Sequence, residues 1–269
     1  MYLSEPAPAK LNLALHVRGK LPDGRHRLET VFAFCIDGDI VHADRDEHFD
    51  FQIIGPMGEG LDPHDNLVMR AAAALRARQP LTLDVGASLT LDKRLPVASG
   101  IGGGSADAAA TLRLLTRLWN MDPVHASDVA PALGADVPAC LLSMSARGEG
   151  AGDALTLLDD PTISGTPVLL VNPGVALSTA AVFATWDGID RGPLGEWREG
   201  RNDLEAPARA LVPAIGEVVD WLGQQRGANF VRMSGSGATC FALFDDEEER
   251  DAAAAACPST WWHLASFLR

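Results

Sequence analysis

The sequence predicts an α+β fold. Strand-like and helix-like patterns are mixed along the chain, and they show no regular βα alternation. No internal repeat or low-complexity linker interrupts them. The chain has 269 residues, of which 47% are hydrophobic and 22% are charged. This composition is ordinary for a folded protein, and the length exceeds the usual size of one core, so one large or two modest domains are expected.

The first third of the chain begins with strands and continues with a helix. Hydrophobic residues alternate with other residues in strand-like stretches at 11–17, 31–34 and 40–41, and Pro22-Asp23-Gly24 is a turn signal. A helix is predicted over about 67–78, where Asp65 or Asn66 supplies the cap. Residues 81–91 alternate again and predict a further strand.

A long helix is predicted over 105–119 with Ser105 as its cap, and a short helix over 127–133 that Gly134 stops. The segment 147–167 is rich in Gly, Asp, Ser and Thr, which favours a domain boundary there. We therefore expect one domain at 1–158 and a second at 159–269.

The second half predicts a strand at 168–171, a helix capped by Ser178, a helix over about 213–226, and a strand–turn–strand unit around Ser234-Gly235-Ser236-Gly237. The acidic run 245–249 opens an alanine-rich helix. Acidic side chains at a helix N-terminus oppose the positive end of its dipole, so this run is interpreted as structural and not as a metal site.

The net charge of −14 argues against nucleic acid or an anionic membrane surface as a partner. No apolar run is long enough to span a bilayer, and the N-terminus has no signal-peptide pattern. The four cysteines stand far apart without a CxxC pair, which favours reduced thiols. A cytoplasmic protein is expected.

A glycine-rich stretch, Gly100-Ile101-Gly102-Gly103-Gly104-Ser105, is the strongest local signal of function. Backbone N–H groups at a helix start, together with the helix dipole, form an anion site without side-chain charge. The alternative is a flexible turn, which four glycines directly before a helix make less favourable. The stretch matches neither the dinucleotide fingerprint nor a Walker A loop.

Further motifs stand in order along the chain. They are Pro8-Ala9-Lys10-Leu11-Asn12-Leu13, Asp23-Gly24-x-His26-x-Leu28-x-Thr30, Asp65-Asn66-Leu67-Val68, the stretch 96–109, Gly134-Ala135-Asp136-Val137-Pro138, Asn172-Pro173-Gly174-Val175 and Met233-Ser234-Gly235-Ser236-Gly237-Ala238-Thr239. From residue 6 to about residue 244 the chain resembles the galactokinase/homoserine kinase/mevalonate kinase (GHMP) superfamily. Within it, the chain resembles the kinases that phosphorylate the 2-hydroxyl of 4-diphosphocytidyl-2-C-methyl-D-erythritol in the non-mevalonate isoprenoid pathway.

The resemblance implies a two-domain architecture, with an N-terminal half like the second domain of ribosomal protein S5 and a ferredoxin-like C-terminal half. It also implies that Asp136 takes up the proton of the acceptor hydroxyl or orients that group, while Lys10 neutralises charge. A neighbouring cation would keep the carboxylate ionised. From the residues alone, Asp136 is equally well interpreted as a helix cap before Pro138, and Lys10 as an exposed strand residue.

By the same resemblance, the ATP-binding residues are Asn66, Lys93, Pro96, Val97, Ala98, Ser99, Gly100, Ile101, Gly102, Gly103, Gly104 and Ser105. Asn66 and Lys93 would contact the nucleotide near the adenine. Mg²⁺ would arrive with ATP, since the sequence offers no obvious metal cage made of protein groups alone. Ser105 would either help to hold the metal or a phosphate, or only cap its helix.

The implied residues for the cytidine-diphosphate substrate are Asn12, Arg25, His26, Thr179, Phe183, Gly235 and Ser236. Arg25 stands where the superfamily members with this substrate have a tyrosine that stacks on the cytosine. Its planar guanidinium either stacks on the base or forms a salt bridge with the diphosphate or a carboxylate. Another kinase of the superfamily and a non-catalytic nucleotide-binding protein are the alternatives. Either a monomer or a homodimer is compatible with the resemblance.

Overall fold

A computed structural model describes residues 2–79 and 86–269. The strands are β1 Leu3–Lys20, β2 His26–Asp46, β3 Phe49–Ile54, β4 Gly86–Asp92, β5 Ala146–Glu149, β6 Ala154–Leu157, β7 Pro167–Asn172, β8 Ala228–Met233, β9 Cys240–Phe244 and β10 Trp262–Phe267. The helices are α1 Leu67–Arg76, α2 Gly103–Leu118, α3 Val124–Leu133, α4 Val137–Leu142, α5 Thr179–Thr185, α6 Glu205–Leu211, α7 Ala214–Gly223 and α8 Glu247–Ala255. The mixed order of these elements confirms the predicted α+β class.

The chain forms two compact units, each of several segments. The first unit comprises Met1–Ala9, Asp37–Val97 and Gly102–Ser143, and the second comprises Lys10–Ile36, Ala98–Ile101 and Met144–Arg269. The long strands β1 and β2 contribute residues to both units, because the chain passes from one unit to the other within them. The division into domains at residues 158 and 159 stays a prediction.

Helix α2 is the central helix of the first unit and packs against α1, α3 and α4. Its residues Ala108–Ala110 are fully buried, because small side chains let the neighbouring helices approach closely. Strand β3 runs parallel to β4, with Phe49 opposite Ala87. Strand β4 pairs in antiparallel fashion with the later part of β2, where Ile40 lies opposite Asp92.

The second unit contains a four-stranded antiparallel sheet in the order β10-β7-β9-β8. Apolar residues of this sheet pack with residues of α5, α6, α7 and the later part of β1 into one core, which includes Leu15, Leu169, Val182, Ile215 and Phe244. The earlier part of β2 pairs with β5, and β5 pairs with β6.

The strand predicted at 11–17 is part of β1, but its two faces are both buried. Two polar residues on this strand are buried because they have hydrogen-bond partners. Asn12 Nδ2 donates to Thr30 Oγ1, and His16 lies between the Gly192 carbonyl and the Arg201 N–H. The alternation in the sequence therefore predicted the strand correctly. The polar residues on it are not exposed to solvent, and their hydrogen bonds are made within the protein.

The predicted helices and strands are largely confirmed, with shifted ends. Asn66 caps α1, Gly134 follows α3 directly, and Ser178 caps α5. Asp246 caps α8, whose first turn carries the acidic run, as the structural interpretation of that run expected. Residues 81–85 of the predicted strand 81–91 lie outside the described residues, and β4 forms the rest of it.

Strand β3, helices α4 and α6 and strand β10 were not predicted from the sequence, and the segment of β5 and β6 was interpreted as a domain boundary. These elements have four to seven residues, too few for a periodicity that separates strand from helix. No helix in the part of the chain that the structure describes is long and apolar enough to cross a membrane.

Candidate active site

A buried cation lies next to the start of α2 in the first unit. Lys93 Nζ donates to Asp39 Oδ2 at 2.5 Å and to Asp107 Oδ2 at 2.7 Å. A Cβ added to Gly103 would lie 3.1 Å from this nitrogen. Burial alone would lower the pKa of Lys93, but the two carboxylates outweigh that effect and raise it. Lys93 is thus a permanent positive charge beside the glycine-rich stretch, and its predicted contact with the nucleotide stays a prediction.

The later part of the glycine-rich stretch forms the N-terminus of α2. Gly102 is the N-cap, with φ of 67°, and the helix begins at Gly103. Ser105 is the third residue of the helix, so the expectation that Ser105 caps it is wrong. The physical reason is that the left-handed conformation of Gly102 lets the helix start two residues earlier, and the first-turn N–H groups are left without a side-chain cap.

Asn66 and Asp136 stand at the starts of two other helices of the first unit. Asn66 is half-buried, and its Oδ1 accepts a hydrogen bond from the Val68 N–H at 2.9 Å. Asp136 is also half-buried and occupies the N-cap position of α4. Its side chain makes no capping hydrogen bond, although its carbonyl accepts from the Cys140 N–H. Asp136 therefore stands at the predicted cap position, but its carboxylate does not cap the helix.

The earlier part of the glycine-rich stretch belongs to the second unit. There it lies against the turn between β8 and β9. The Ser99 carbonyl accepts from the Thr239 N–H at 3.0 Å, and Ser234 Oγ donates to the Gly100 carbonyl at 3.1 Å. The preceding residues Pro96 and Val97 belong to the first unit, where Val97 is exposed. The two predicted loops, around Gly100 and around Gly235, are thus packed together within one unit.

Lys10 and Asn12 form a hydrogen-bonded pair on β1. Lys10 is 3% exposed, which contradicts the interpretation of Lys10 as an exposed strand residue. Its Nζ donates to Asn12 Oδ1 at 2.9 Å and lies 5.1 Å from the centre of the Phe32 ring. Asn12 Nδ2 donates to Thr30 Oγ1 at 2.8 Å, so the orientation of the Asn12 amide is fixed. This pair holds a buried ammonium group in a defined position.

An aromatic cluster surrounds His26. Its imidazole stacks on Phe183 with ring centres 4.5 Å apart and planes inclined by 23°. Trp186 meets the same imidazole edge-on at 5.7 Å. Burial, assisted by the charge of Lys20, lowers the pKa of His26, so the ring is neutral at physiological pH. The structure brings together His26 and Phe183, both predicted from motifs, and adds Trp186, which the sequence analysis missed.

Arg25 is held by two carboxylates. Its Nε lies 2.8 Å from Asp23 Oδ2 and its Nη1 lies 3.3 Å from Asp153 Oδ2. The side chain is 54% exposed. Of the two expectations for Arg25, the salt bridge with a carboxylate is the one seen here.

The remaining predicted substrate residues lie around the turn between β8 and β9. Thr179 Oγ1 and Ser236 Oγ are 2.8 Å apart. Gly235 has φ of 55°, and a Cβ there would lie 2.8 Å from the Gly100 carbonyl oxygen and 3.1 Å from Asn12 Oδ1. Only glycine fits this close approach, which explains the glycine at position 235.

Comparison with known proteins identifies the family to which the chain belongs. A model described as the GHMP kinases N terminal domain matches residues 66–144, and one described as GHMP kinases C terminal matches residues 187–262. The chain is 51% identical to a protein of Rhizorhabdus wittichii named 4-diphosphocytidyl-2-C-methyl-D-erythritol kinase, over 100% of this chain and 96% of the relative. A relative of the same name from Novosphingobium aromaticivorans is 48% identical, over 100% of this chain and 94% of the relative.

The chain belongs to the GHMP kinase family. A solved structure of 4-(cytidine 5'-diphospho)-2C-methyl-D-erythritol kinase matches with a TM-score of 0.83 and 31% identity, over 99% of both chains. A homoserine kinase of Cytophaga hutchinsonii has the same fold, with a TM-score of 0.71 and 16% identity, over 99% of this chain and 95% of that one. The predicted GHMP-kinase-like architecture and the resemblance stated from the motifs are confirmed.

As a GHMP kinase, the chain is a small-molecule kinase and uses ATP as its phosphoryl donor. Within the described residues no group of three or more His, Cys, Asp or Glu side chains could hold a metal ion.

Proposed function

We propose that this GHMP kinase transfers the γ-phosphoryl group of ATP to the 2-hydroxyl of 4-diphosphocytidyl-2-C-methyl-D-erythritol, a step of non-mevalonate isoprenoid synthesis. The observation that carries this proposal is the agreement of name among relatives that match the whole chain at 51% and 48% identity. The residues that the motifs assign to a cytidine-diphosphate substrate support it, because His26 and Phe183 are stacked within one aromatic cluster.

The phosphates of ATP bind the N-terminus of α2 in this proposal. The first-turn N–H groups from Gly103 onward have no partner within the helix, and the helix dipole adds partial positive charge. Lys93 lies next to Gly103, but Asp39 and Asp107 balance its charge, so the N–H groups and the helix dipole carry the attraction. An anionic ligand is thereby compatible with this site despite the net charge of −14.

Asp136 and Lys10 supply the chemistry. The acceptor oxygen forms a bond to the γ-phosphorus, the bond from that phosphorus to the β,γ-bridging oxygen breaks, and ADP leaves. Asp136 accepts or orients the proton of the acceptor hydroxyl, and Lys10 stabilises negative charge on the phosphoryl oxygens. The bond of Lys10 to Asn12 holds the ammonium group in a fixed orientation before substrate arrives, and the Asp136 carboxylate is not used to cap α4.

Mg²⁺ is proposed to enter with ATP. Bound to the phosphates, Mg²⁺ neutralises the charge that develops on them. Mg²⁺ carried by a nucleotide needs few protein ligands, and an oxygen ligand in the first turn of α2 fits it. The hydroxyl of Ser105, in the first turn of α2, is the protein group that we assign to the metal or to a phosphate oxygen.

The cytidine end of the substrate is assigned to the second unit. Neutral His26 offers one donor and one acceptor nitrogen to the base, and Phe183 offers a ring face. The hydroxyls of Thr179 and Ser236 are adjacent, and the Asn12 amide is fixed by Thr30. Arg25 and Gly235 complete this set. A cytoplasmic location and a monomeric or homodimeric state remain part of the proposal.

An assay of ATP consumption tests the substrate. The purified protein is given the cytidine-diphosphate substrate, homoserine or mevalonate at equal concentrations with Mg²⁺ and ATP. We expect turnover with the first acceptor and at most a background rate with the other two. Turnover with homoserine or mevalonate alone would overturn the substrate assignment and leave the kinase assignment standing.

The role of Asp136 is tested by Asp136→Asn. We expect kcat to fall by about 10²–10⁴ while the Kd for ATP stays within about threefold, because the carboxylate acts on the acceptor and not on the nucleotide. Asp128→Asn is the control, since Asp128 is an exposed residue of the neighbouring helix α3. An Asp136→Asn variant that keeps the parent's kcat would remove this mechanism.

A further inference from the structure

A cavity of about 610 Å³ in the second unit is lined by arginines and by none of the residues assigned to ATP or to the cytidine substrate. Its lining includes Arg201, Arg209 and Arg232 together with Asn202 and Glu205. The lining has three guanidinium groups and the Glu205 carboxylate, and Asp203 pairs with Arg201, so the group carries a formal charge of +1 in a chain of net charge −14. Such a local reversal of charge favours an anionic occupant.

Arg232 is a partly buried cation of this cavity. Its guanidinium donates to the carbonyls of Leu13, Trp197 and Gly200, and it lies 4.5 Å from the ring centre of Phe230. Within the described residues no carboxylate lies within 4 Å of Arg232, although Glu205 acts on it from farther away. Burial lowers the pKa of Arg232 to about 10, so the group is still charged at neutral pH. A partly buried cation whose neighbours are carbonyl dipoles lacks a full countercharge.

The other two arginines have unused donors. Arg201 uses Nε for Asp203 and Nη2 for the Gly192 carbonyl, and its Nη1 has no acceptor among the described residues. Arg209 has one weak contact, from Nη1 to Glu205 Oε1 at 3.4 Å. The Nε and Nη2 of Arg209 lie over Gly216, where an added Cβ would be 3.1 Å and 2.8 Å from them. The glycine lets this guanidinium lie flat on α7 with its donors available.

The cavity is also preformed. Asn202 Nδ2 donates to the Met233 and Gly235 carbonyls at 2.8 Å each, and Asn202 Oδ1 accepts from the Leu204 N–H at 3.0 Å. The Arg201 carbonyl accepts from the Leu15 N–H at 2.8 Å. The backbone that carries Arg201 and Asn202 is therefore fixed by β1 and by the turn after β8, so little ordering cost opposes binding.

We infer that this arginine-lined cavity is a binding site for a phosphate ester or a diphosphate, separate from the sites assigned to ATP and to the cytidine substrate. Planar guanidinium groups bind phosphate oxygens through paired N–H donors, and the cavity holds three of them, with unused donors on two. The volume is sufficient for a diphosphate with a small organic group.

The test measures binding of inorganic diphosphate and of inorganic phosphate by calorimetry. The protein is first saturated with a non-hydrolysable ATP analogue, Mg²⁺ and cytidine 5'-diphosphate, so that the sites of the proposed function are filled. We expect one further binding event with diphosphate. Arg209→Gln and Arg201→Gln should each weaken it at least about tenfold, the loss of one charge-assisted contact.

Arg191→Gln is the matched control, because Arg191 is an exposed arginine of the same unit that pairs with Asp187. It should leave the binding constant unchanged. Arg209 is 40% exposed, so its replacement is not expected to unfold the protein, and the Tm of each variant verifies this. Diphosphate that binds more tightly than phosphate indicates a diphosphate ligand, and the reverse indicates a monoester. No further binding, or binding that Arg209→Gln and Arg201→Gln leave unchanged, would overturn the inference whether or not the proposed kinase reaction is correct.

Discussion

Lys93 Nζ donates to Asp107 Oδ2 at 2.7 Å, and both side chains are buried in the first unit. The other carboxylate oxygen of Asp107, Oδ1, is buried without a hydrogen-bond partner. Burial raises the pKa of Asp107 to about 8, although the ammonium of Lys93 opposes this shift. Asp107 therefore binds its proton more tightly in the folded protein than in the unfolded chain.

The first prediction concerns how stability depends on pH. Between about pH 4 and about pH 8 the folded protein binds more protons at Asp107 than the unfolded chain, so the stability that Asp107 contributes falls as the pH rises through this range. Asp107→Asn keeps a neutral group of the same shape and removes the titration. We expect the Tm of Asp107→Asn, relative to the parent, to rise between about pH 5 and about pH 8.5 in thermal unfolding.

Thr116→Val is the control for this measurement. Thr116 lies on the same helix and is buried, and its hydroxyl has no hydrogen-bond partner. Its replacement changes no titratable group, so the Tm difference from the parent should be the same at both pH values. A Tm difference between Asp107→Asn and the parent that is the same at both pH values would contradict the raised pKa of Asp107.

The second prediction separates two glycines of the glycine-rich stretch. Gly100 has φ of 76°, and a Cβ there would lie 2.5 Å from the Ser234 carbonyl oxygen. A Cβ on Gly104 would meet only the flexible end of Leu67, at 3.3 Å. We expect Gly100→Ala to lower the Tm by about 4 °C or more, through strain of about 1–3 kcal/mol, and Gly104→Ala to change it by less than about 2 °C. Thermal unfolding of both variants measures these Tm values, and an equal decrease in Tm for the two variants would contradict the prediction.

The position of the glycine-rich stretch and the use of Asn66 as a helix cap could be predicted from the sequence, because both follow from rules about neighbouring residues. The start of α2 could not, since serine is a frequent cap and the left-handed conformation of Gly102 decides otherwise. The resemblance predicts a contact of Lys93 with the nucleotide and predicts neither of its carboxylate partners. Its partner Asp39 stands 54 residues earlier, and a contact at that separation has no local signal.

Among the residues assigned to the substrate, some could likewise be predicted from the sequence and others could not. His26 and Phe183 could be predicted from family motifs, and the structure stacks them. Trp186 could have been suspected from its position three residues after Phe183, one turn along a helix. The arginine-lined cavity had no such signal, because Arg201, Arg209 and Arg232 meet only through the pairing of a loop with β1 and β8.

The third prediction tests whether Arg25 stacks on the cytosine. Its guanidinium is oriented by Asp23 and Asp153, and the side chain is 54% exposed, so a base can reach it. We expect Arg25→Lys and Arg25→Ala each to raise the KM for the cytidine substrate about tenfold, because neither has a planar group. Arg25→Tyr should lower this KM, since a phenol ring offers a larger face. The KM for ATP should be unchanged in all three.

Steady-state kinetics with each substrate varied in turn measure these values. If Arg25→Lys kept the parent's KM while Arg25→Ala raised it, the charge of Arg25 would attract the diphosphate and stacking would be excluded. If Arg25→Tyr left KM and kcat unchanged, the stacking hypothesis would fail as well.

The fourth prediction separates two roles of Asn66. Its Oδ1 caps α1 through the Val68 N–H, which leaves the Nδ2 donors for the proposed contact with the nucleotide. Asn66→Ser keeps a capping oxygen and removes the amide without adding charge, whereas Asn66→Ala removes both. Loss of the cap costs about 1 kcal/mol. We therefore expect Asn66→Ala to lower the Tm by about 2–4 °C and Asn66→Ser to leave it within about 1 °C of the parent.

The kinetic result for Asn66 should differ from the thermal one. If Nδ2 binds the nucleotide, both variants raise the KM for ATP about tenfold, because each lacks the amide donor. The KM for the cytidine substrate, whose assigned residues are different, should stay the same. If Asn66→Ser had the same Tm and the same KM for ATP as the parent, Asn66 would act only as a helix cap. The serine hydroxyl would then replace every function of the amide.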